Sequence, residues 1–274
     1  MKFRKLLIVY VFLLACVLVA MFQLWTYMKA SSAPRDYAEI QKEGVLRMVT
    51  EYNPLGYYVS GDTISGFQYE LSRAIANVSG LEVEMHLEMS LTKSFDELRD
   101  KQCDVIARNI PITSEVREDY LFTEPIILNK QVLVQRTAEA NNNIPPIRNQ
   151  LDLAQKTLYI PKDSPALLRL QNLSHEIGDT IYVEEDALYS GEQLSIMVAK
   201  GDIDYAVCDQ QTARIAKENL PEIDIDTDIS FTQLQSWTLR KDSPVLLDSL
   251  NSWLRQIKES GMYDQIYKRY YGKK

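Results

Sequence analysis

The sequence predicts an α/β protein of two β-α-β halves joined by two extended crossing runs, carried behind an N-terminal membrane segment. Three observations predict it: an uncharged run after a basic start, a strand–helix grammar that occurs twice, and an apolar extended stretch after each half. At 274 residues, 46% hydrophobic and 25% charged, the chain has room for an anchor and one globular unit of two lobes.

Lys2, Arg4 and Lys5 precede an uncharged run from Leu6 to Met28. Spanning hydrocarbon takes about 20 apolar residues, which this run supplies. The basic start sets the N-terminus in the cytoplasm, and Trp25 and Tyr27 suit an interfacial belt. Residues 1–28 are therefore expected to be a single-pass anchor in the inner membrane, with the globular part facing the periplasm. The alternative is a lipoprotein, because Leu13-Leu14-Ala15-Cys16 resembles a lipobox with Cys16 as its lipidated residue. Residues 29–43 read as a polar linker.

Val45 to Thr50 read as the first strand. Gly66-Phe67 opens a helix with Phe67, Leu71, Ala74, Ile75 and Val78 on one face, and Gly80 stops it. Leu81, Val83, Met85 and Leu87 alternate with charged or polar residues, as in a half-buried strand. Ser94 to Lys101 form a short helix, and Asp104 to Ala107 another strand. The second half repeats the order. Leu158 to Ile160 are a strand, Ser164-Pro165 open a helix, and Ile181 to Val183 are a strand. Ser190 with Gln193 makes a capping box for a helix ending at Gly201, and Tyr205 to Cys208 follow as a strand. The runs 131–135 and 234–239 are extended and apolar, and both are expected to cross between lobes. The expected division is residues 44–133 with 237–274 for lobe 1 and 137–232 for lobe 2. A closing helix from Ser243-Pro244 buries Leu246, Leu250, Trp253, Leu254 and Ile257, and the tyrosines after Gly261 pack on the first lobe.

The chemistry that is missing narrows the function. A net charge of −8 argues against nucleic acid as a partner, since phosphate contacts need a surplus of Lys and Arg. Cys16, Cys103 and Cys208 are too scattered for a disulfide framework, and His86 and His175 stand at no metal-ligand spacing. Cys103 and Cys208 are expected to be buried free thiols. The ten glycines form no phosphate-binding pattern and no nucleophile elbow occurs, so no cofactor, metal or catalytic residue is expected.

Six segments in order give the sequence a family resemblance: 44–50, 65–76, 95–107, 112–125, 201–209 and 258–272. It resembles the bacterial solute-binding proteins for polar amino acids. Within that family, Asn53 to Tyr58 and Gln131 to Arg136 are most similar to the regulatory domains of membrane-bound lytic transglycosylases of the F type. The sequence ends where the catalytic domain of those proteins begins, so the resemblance implies binding or sensing without glycan cleavage.

The resemblance implies a two-lobed periplasmic-binding-protein-like fold (type II), closing by hinge motion on a small polar ligand such as an amino acid or peptide-like metabolite. It also implies a membrane transporter or a cell-wall enzyme as partner. In such a site an arginine forks onto the ligand carboxylate and an Asp of the second lobe takes the ammonium. Asp209 matches that Asp and equally reads as a helix N-cap. Ser164 matches a second-lobe hydroxyl. The first-lobe arginine falls on Val116, leaving Arg108 or Arg117 as the fork, or a ligand without an α-carboxylate. Asn53, Tyr57, Asn109 and Thr113 complete the expected ligand-binding set. The rivals are a dehydratase-like enzyme on the same scaffold, and a cell-wall-associated regulatory module with a degenerate cleft.

Overall fold

The computed structural model describes residues 35–112 and 114–272, together with Leu14, Val17, Leu18, Val19 and Met21. Most of the expected anchor, with Cys16, and Thr113 lie outside the described residues. Among those described, no helix is long and apolar enough to cross a membrane. The chain divides into Met1–Arg35 and Asp36–Lys274, and both lobes belong to the second unit.

The expected linker 29–43 is helical in its last part, α1 (Tyr37–Glu43). Asp36 and Glu39 form a capping box that starts it, a signature present in the sequence and overlooked there. The first lobe follows. It contains β1 (Val45–Thr50), the hairpin β2 (Tyr58–Ser60) and β3 (Thr63–Ser65), α2 (Phe67–Ser79), β4 (Glu82–Leu87) and α3 (Leu91–Arg99). Next come β5 (Val105–Pro111), α4 (Ser114–Asp119), β6 (Tyr120–Phe122) and β7 (Ile127–Asn129). Helix α2 starts at Gly66, whose φ is 133°, and a Cβ there would lie 2.3 Å from the Gly56 carbonyl oxygen. Only glycine lets these two loops meet.

The second lobe comprises β8 (Gln131–Arg136), a short 3-10 turn at Gln150–Leu153, β9 (Thr157–Pro161) and α5 (Ala166–Ile177). It continues through β10 (Tyr182–Asp186), α6 (Gly191–Lys200), β11 (Ala206–Asp209), α7 (Gln210–Asn219) and β12 (Ile223–Asp228). The chain then returns to the first lobe as β13 (Gln233–Arg240), α8 (Pro244–Glu259) and α9 (Met262–Tyr271).

The two sheets run β4-β1-β5-β13-β6, with β7 paired on β13, and β10-β9-β11-β8-β12. In each sheet three strands are parallel and the inserted or returning strand is antiparallel to them. The two runs expected to cross do not span the lobes. Among the described residues β8 pairs only with β11 and β12, and β13 only with strands of the first sheet. The crossings are shorter: Lys130 alone joins β7 to β8, and residues 229–232 join β12 to β13. The first sheet therefore ends at Asn129 rather than at 133 and resumes at Gln233 rather than at 237.

Strand alternation feeds the cores on both faces of each sheet. In β1, Leu46 and Met48 join α2, α8 and α9 in one cluster, while Val49 packs with Leu98, Cys103 and Ile106 under α3. In β8, Val132 and Val134 face α6 and α7, while Leu133 faces α5. Phe67, Leu71, Ala74 and Ile75 of α2 are buried as expected, but Val78 lies at the exposed margin. The β4 alternation likewise holds only at its start, because Leu87 is 44% exposed on an edge strand. After Gly261, Tyr263, Tyr267 and Tyr271 pack edge-on against Phe67, so the aromatic end of the chain serves the first lobe.

Candidate functional site

In open α/β sheets ligands gather at the carboxyl ends of parallel strands. Those ends carry Glu51 and Asn53 after β1, Ser90 after β4 and the Arg108-Asn109 pair in β5. On the second lobe they carry Asp163 and Ser164 after β9, and Asp209 at the end of β11. Among the described residues, three hydrogen bonds join the lobes directly. Ser90 Oγ donates to Asp163 Oδ2 at 3.1 Å, Asn129 Nδ2 to Asp209 Oδ1 at 3.2 Å, and Arg214 Nη2 to the Tyr271 carbonyl at 3.3 Å. Ile215 of α7 packs on the first-lobe core beside the last of these.

Asp209 is the N-cap of α7. Its Oδ1 accepts from the Gln211 and Thr212 amides at 3.1 and 3.0 Å, and its Oδ2 accepts from Thr212 Oγ1 at 2.5 Å. With Asn129 added, four donors meet a carboxylate that has about four lone-pair directions. Arg108 donates to Glu51 and to the Met89 carbonyl, and its side chain is 11% exposed. The charges of Asp209 and Arg108 are thus each answered within the protein. Arg117 stands on α4 as an exposed residue, and its carbonyl accepts from Lys241 Nζ at 2.8 Å.

Asn53 organises the loop after β1. Its Oδ1 accepts from the Leu55 and Gly56 amides at 3.0 and 2.5 Å, and its Nδ2 donates to Glu51 at 3.2 Å. Asn53, Glu51 and Arg108 therefore form one connected group. Tyr57 is buried and meets Tyr69 edge-on at 5.7 Å, with its hydroxyl pKa raised by burial first and by Tyr69 second. Asn109 belongs to a buried relay. Trp237 Nε1 donates to Gln68 Oε1 at 2.6 Å, Gln68 Nε2 to Asn109 Oδ1 at 2.8 Å, and Asn109 Nδ2 to the Tyr271 hydroxyl at 3.3 Å. Burial raises the Tyr271 pKa; the Asn109 bond opposes that and the Asp209 charge adds to it.

Ser164 Oγ accepts from the Ala166 amide at 3.2 Å, which starts α5. It also lines a pocket of about 410 Å³ between the lobes, where Leu91 and Phe95 of α3 face Pro165, Leu167 and Leu168. Cys103 and Cys208 are buried free thiols, and burial pushes Cys103 up to about 12. His86 pairs with Glu97 at 2.7 Å. Among the described residues no cluster of His, Cys, Asp and Glu is arranged to hold a metal ion.

Sequence reasoning missed Glu51, Gln68, Gln211, Arg214 and Tyr271. The signal for Gln211 and Arg214 was available, since they follow the Asp209 cap at a spacing of three and so share a helix face. Glu51, Gln68 and Tyr271 carry no local signal, because their partners lie far away in sequence.

Residues 46–273 match the bacterial extracellular solute-binding proteins, family 3. The chain is similar to the membrane-bound lytic murein transglycosylase F of Cronobacter sakazakii, 27% identical over 272 residues, which cover 98% of this chain and 51% of that one. The protein of that name from Desulfosudis oleivorans is 29% identical over 234 residues, 85% of this chain and 50% of that one. The chain thus spans about half the length of these curated relatives. Among solved structures, a mutant of ArgBP from T. maritima is 25% identical with a TM-score of 0.72, over 86% of this chain and 99% of that one. An ancestral arginine-binding protein bound to arginine, at 24% identity and a TM-score of 0.73 over 84% and 99% of the two chains, shares the fold.

Proposed function

This chain belongs to the bacterial extracellular solute-binding proteins, family 3, and we propose that it closes on an amino acid or a peptide-like metabolite outside the cytoplasm, without catalysing a reaction. The observation that carries this reading is the opposition of the two sheets. The carboxyl ends of their parallel strands meet across the lobes, and polar side chains from both sides already bond to one another there. The crossings at Lys130 and 229–232 leave short joints, the kind of place where a few dihedrals absorb hinge motion. The likeness to an arginine-binding protein supports a ligand with amino-acid chemistry.

The anchor is part of the same proposal. Residues 6–28 hold the N-terminus in the cytoplasmic membrane and set the lobes in the periplasm. Intact mass of the protein extracted from membranes tests this, and a mature chain starting at Cys16 would replace the anchor with a lipid.

A second reading is favoured by the murein transglycosylase relatives, half of whose length this chain spans. In it the lobes report a cell-wall fragment to an enzyme partner. One experiment covers both readings: thermal melting against a panel of L-amino acids and murein tetrapeptides. A ligand at a hundred times its Kd adds about 2.7 kcal/mol to stability, which is a resolvable shift. A response confined to the tetrapeptides favours the cell-wall reading, and a flat response to every compound refutes both.

A further inference from the structure

Helix α7 carries two shielded polar atoms that have no partner, Arg214 Nε and Gln211 Oε1. Buried polar atoms in folded proteins are nearly always satisfied, so two on one helix ask for an explanation. Residues three apart share a helix face. That face is turned to the first lobe, because Arg214 Nη2 reaches the Tyr271 carbonyl and Ile215 packs on the first-lobe core.

The charges around it are already taken. Arg108 is paired with Glu51, Lys130 with Asp228, and Asp209 is filled by four donors. Among the described residues Arg214 has no carboxylate within ion-pair reach, and its hydrogen bond there is to a neutral carbonyl at 3.3 Å. A guanidinium binds a carboxylate best side-on, through two parallel N–H donors. In Arg214 the donor left over, Nε, is one of those that such a fork uses.

We propose that Gln211 and Arg214 are the ligand-recognition pair of the cleft. The Arg214 guanidinium takes a carboxylate of the ligand, and Gln211 Oε1 accepts an N–H of the same molecule. The class this selects is a carboxylate with a nearby N–H donor: a free amino acid or the C-terminal end of a short peptide. The anion fork then comes from the second lobe, in place of the first-lobe arginine that the sequence leads one to expect. The inference rests on the solute-binding reading and names its contacts.

The test is calorimetric titration of the wild-type protein and of Arg214→Ala, Arg214→Lys, Gln211→Leu and Arg117→Ala. The probes are L-arginine, L-glutamine, a murein tetrapeptide, and agmatine as arginine without its carboxylate. A probe with a carboxylate is expected to bind the wild type while agmatine does not. A lost charged hydrogen bond weakens binding about ten- to a hundredfold, the loss expected for Arg214→Ala. Arg214→Lys keeps the charge without the fork and is expected to lose about fivefold or more, which serves if the alanine variant does not fold. Gln211→Leu is expected to weaken binding of the same probe, and Arg117→Ala to leave it unchanged. Equal binding by wild type and the Arg214 variants overturns the inference and leaves the solute-binding reading standing. If no probe binds at all, the reading and the inference fall together. A crystal structure with ligand in the cleft and an ordered water, not the ligand, bonded to Arg214 Nε and Gln211 Oε1 also overturns it.

Discussion

Ser90 of the first lobe donates a hydrogen bond to Asp163 of the second across 3.1 Å, and Asp163 sits in the left-handed region with φ of 60°. Such a backbone is uncommon outside glycine, although Asp is among the residues that tolerate it. The loop after β9 is thereby bent so that its carboxylate meets the opposing lobe.

Removing this contact favours lobe opening. Ser90→Ala forfeits a hydrogen bond to a charged group in a half-exposed place, roughly 1 kcal/mol or about fivefold in the open–closed balance. Small-angle scattering of the ligand-free protein is expected to show a larger radius of gyration, with ligand affinity lower by a similar factor. An unchanged radius and affinity would mean that the pair holds nothing closed.

Asp209 caps α7, so Asp209→Ala is expected to lower stability by about 1 kcal/mol in chemical denaturation. Asp209→Asn keeps an acceptor for the Gln211 and Thr212 amides and is expected to lose much less. If both variants melt like wild type while losing ligand, the carboxylate is a ligand contact instead.

Arg108 and Glu51 form a largely shielded ion pair tied to Asn53. A double-mutant cycle with Arg108→Met and Glu51→Gln is expected to give a coupling energy on the order of 1 kcal/mol. A value near zero, measured by urea unfolding, removes the pair from any account of the cleft.

Trp237→Phe keeps the ring packing and deletes the donor to Gln68. The Gln68 oxygen is then left buried without its partner, at a cost of about 1–3 kcal/mol. The amide exchange of the residues around Asn109 and Tyr271 is expected to quicken with it, since the four side chains form one relay. Stability within a few tenths of wild type speaks against the relay.

Cys103 gives a pH dependence. Burial raises its pKa from 9.0 to about 12, with Glu97 and Asp104 adding to the effect. The unfolded chain loses this proton at lower pH than the folded one, so unfolding gains from alkalinity. Stability is expected to fall as pH rises from 9.0 towards 12, and Cys103→Ala is expected to flatten that part of the curve. A thiol reagent at neutral pH is expected to leave the native protein unmodified at Cys103.

Local chemistry in this sequence is readable and long-range chemistry is not. The 3.6-residue period of α2, the capping box at Ser190 and the N-cap at Asp209 each depend on residues a few positions apart, and the structure has all three. The crossings failed because β8 and β13 have the same extended, apolar composition whether they span lobes or lie within one sheet. Pairing partners decide that, and they lie far off in sequence. Arg108 came as a carboxylate fork from the family resemblance, which says nothing of Glu51 just after the neighbouring strand β1. Asp36 is of both kinds: its capping box with Glu39 is local and was legible, whereas the Val245 and Leu246 amides that donate to it at the start of α8 lie over two hundred positions away and leave no local trace.

Lys130 is a whole inter-lobe joint in one residue, set between two strands in different sheets. β8 is hydrogen-bonded on both sides and its alternate side chains serve two separate cores. Deleting the joint residue would leave nothing between β7 and β8, so its replacement would have to come out of β8 and slip that strand's side chains to the wrong faces. Anyone grafting a fluorescent reporter into this protein to turn lobe motion into signal should therefore leave residue 130 alone. The turn 138–143, exposed at Glu139, Ala140, Asn142 and Asn143, is the better insertion point: it lies beyond the end of β8, where added length meets no strand register.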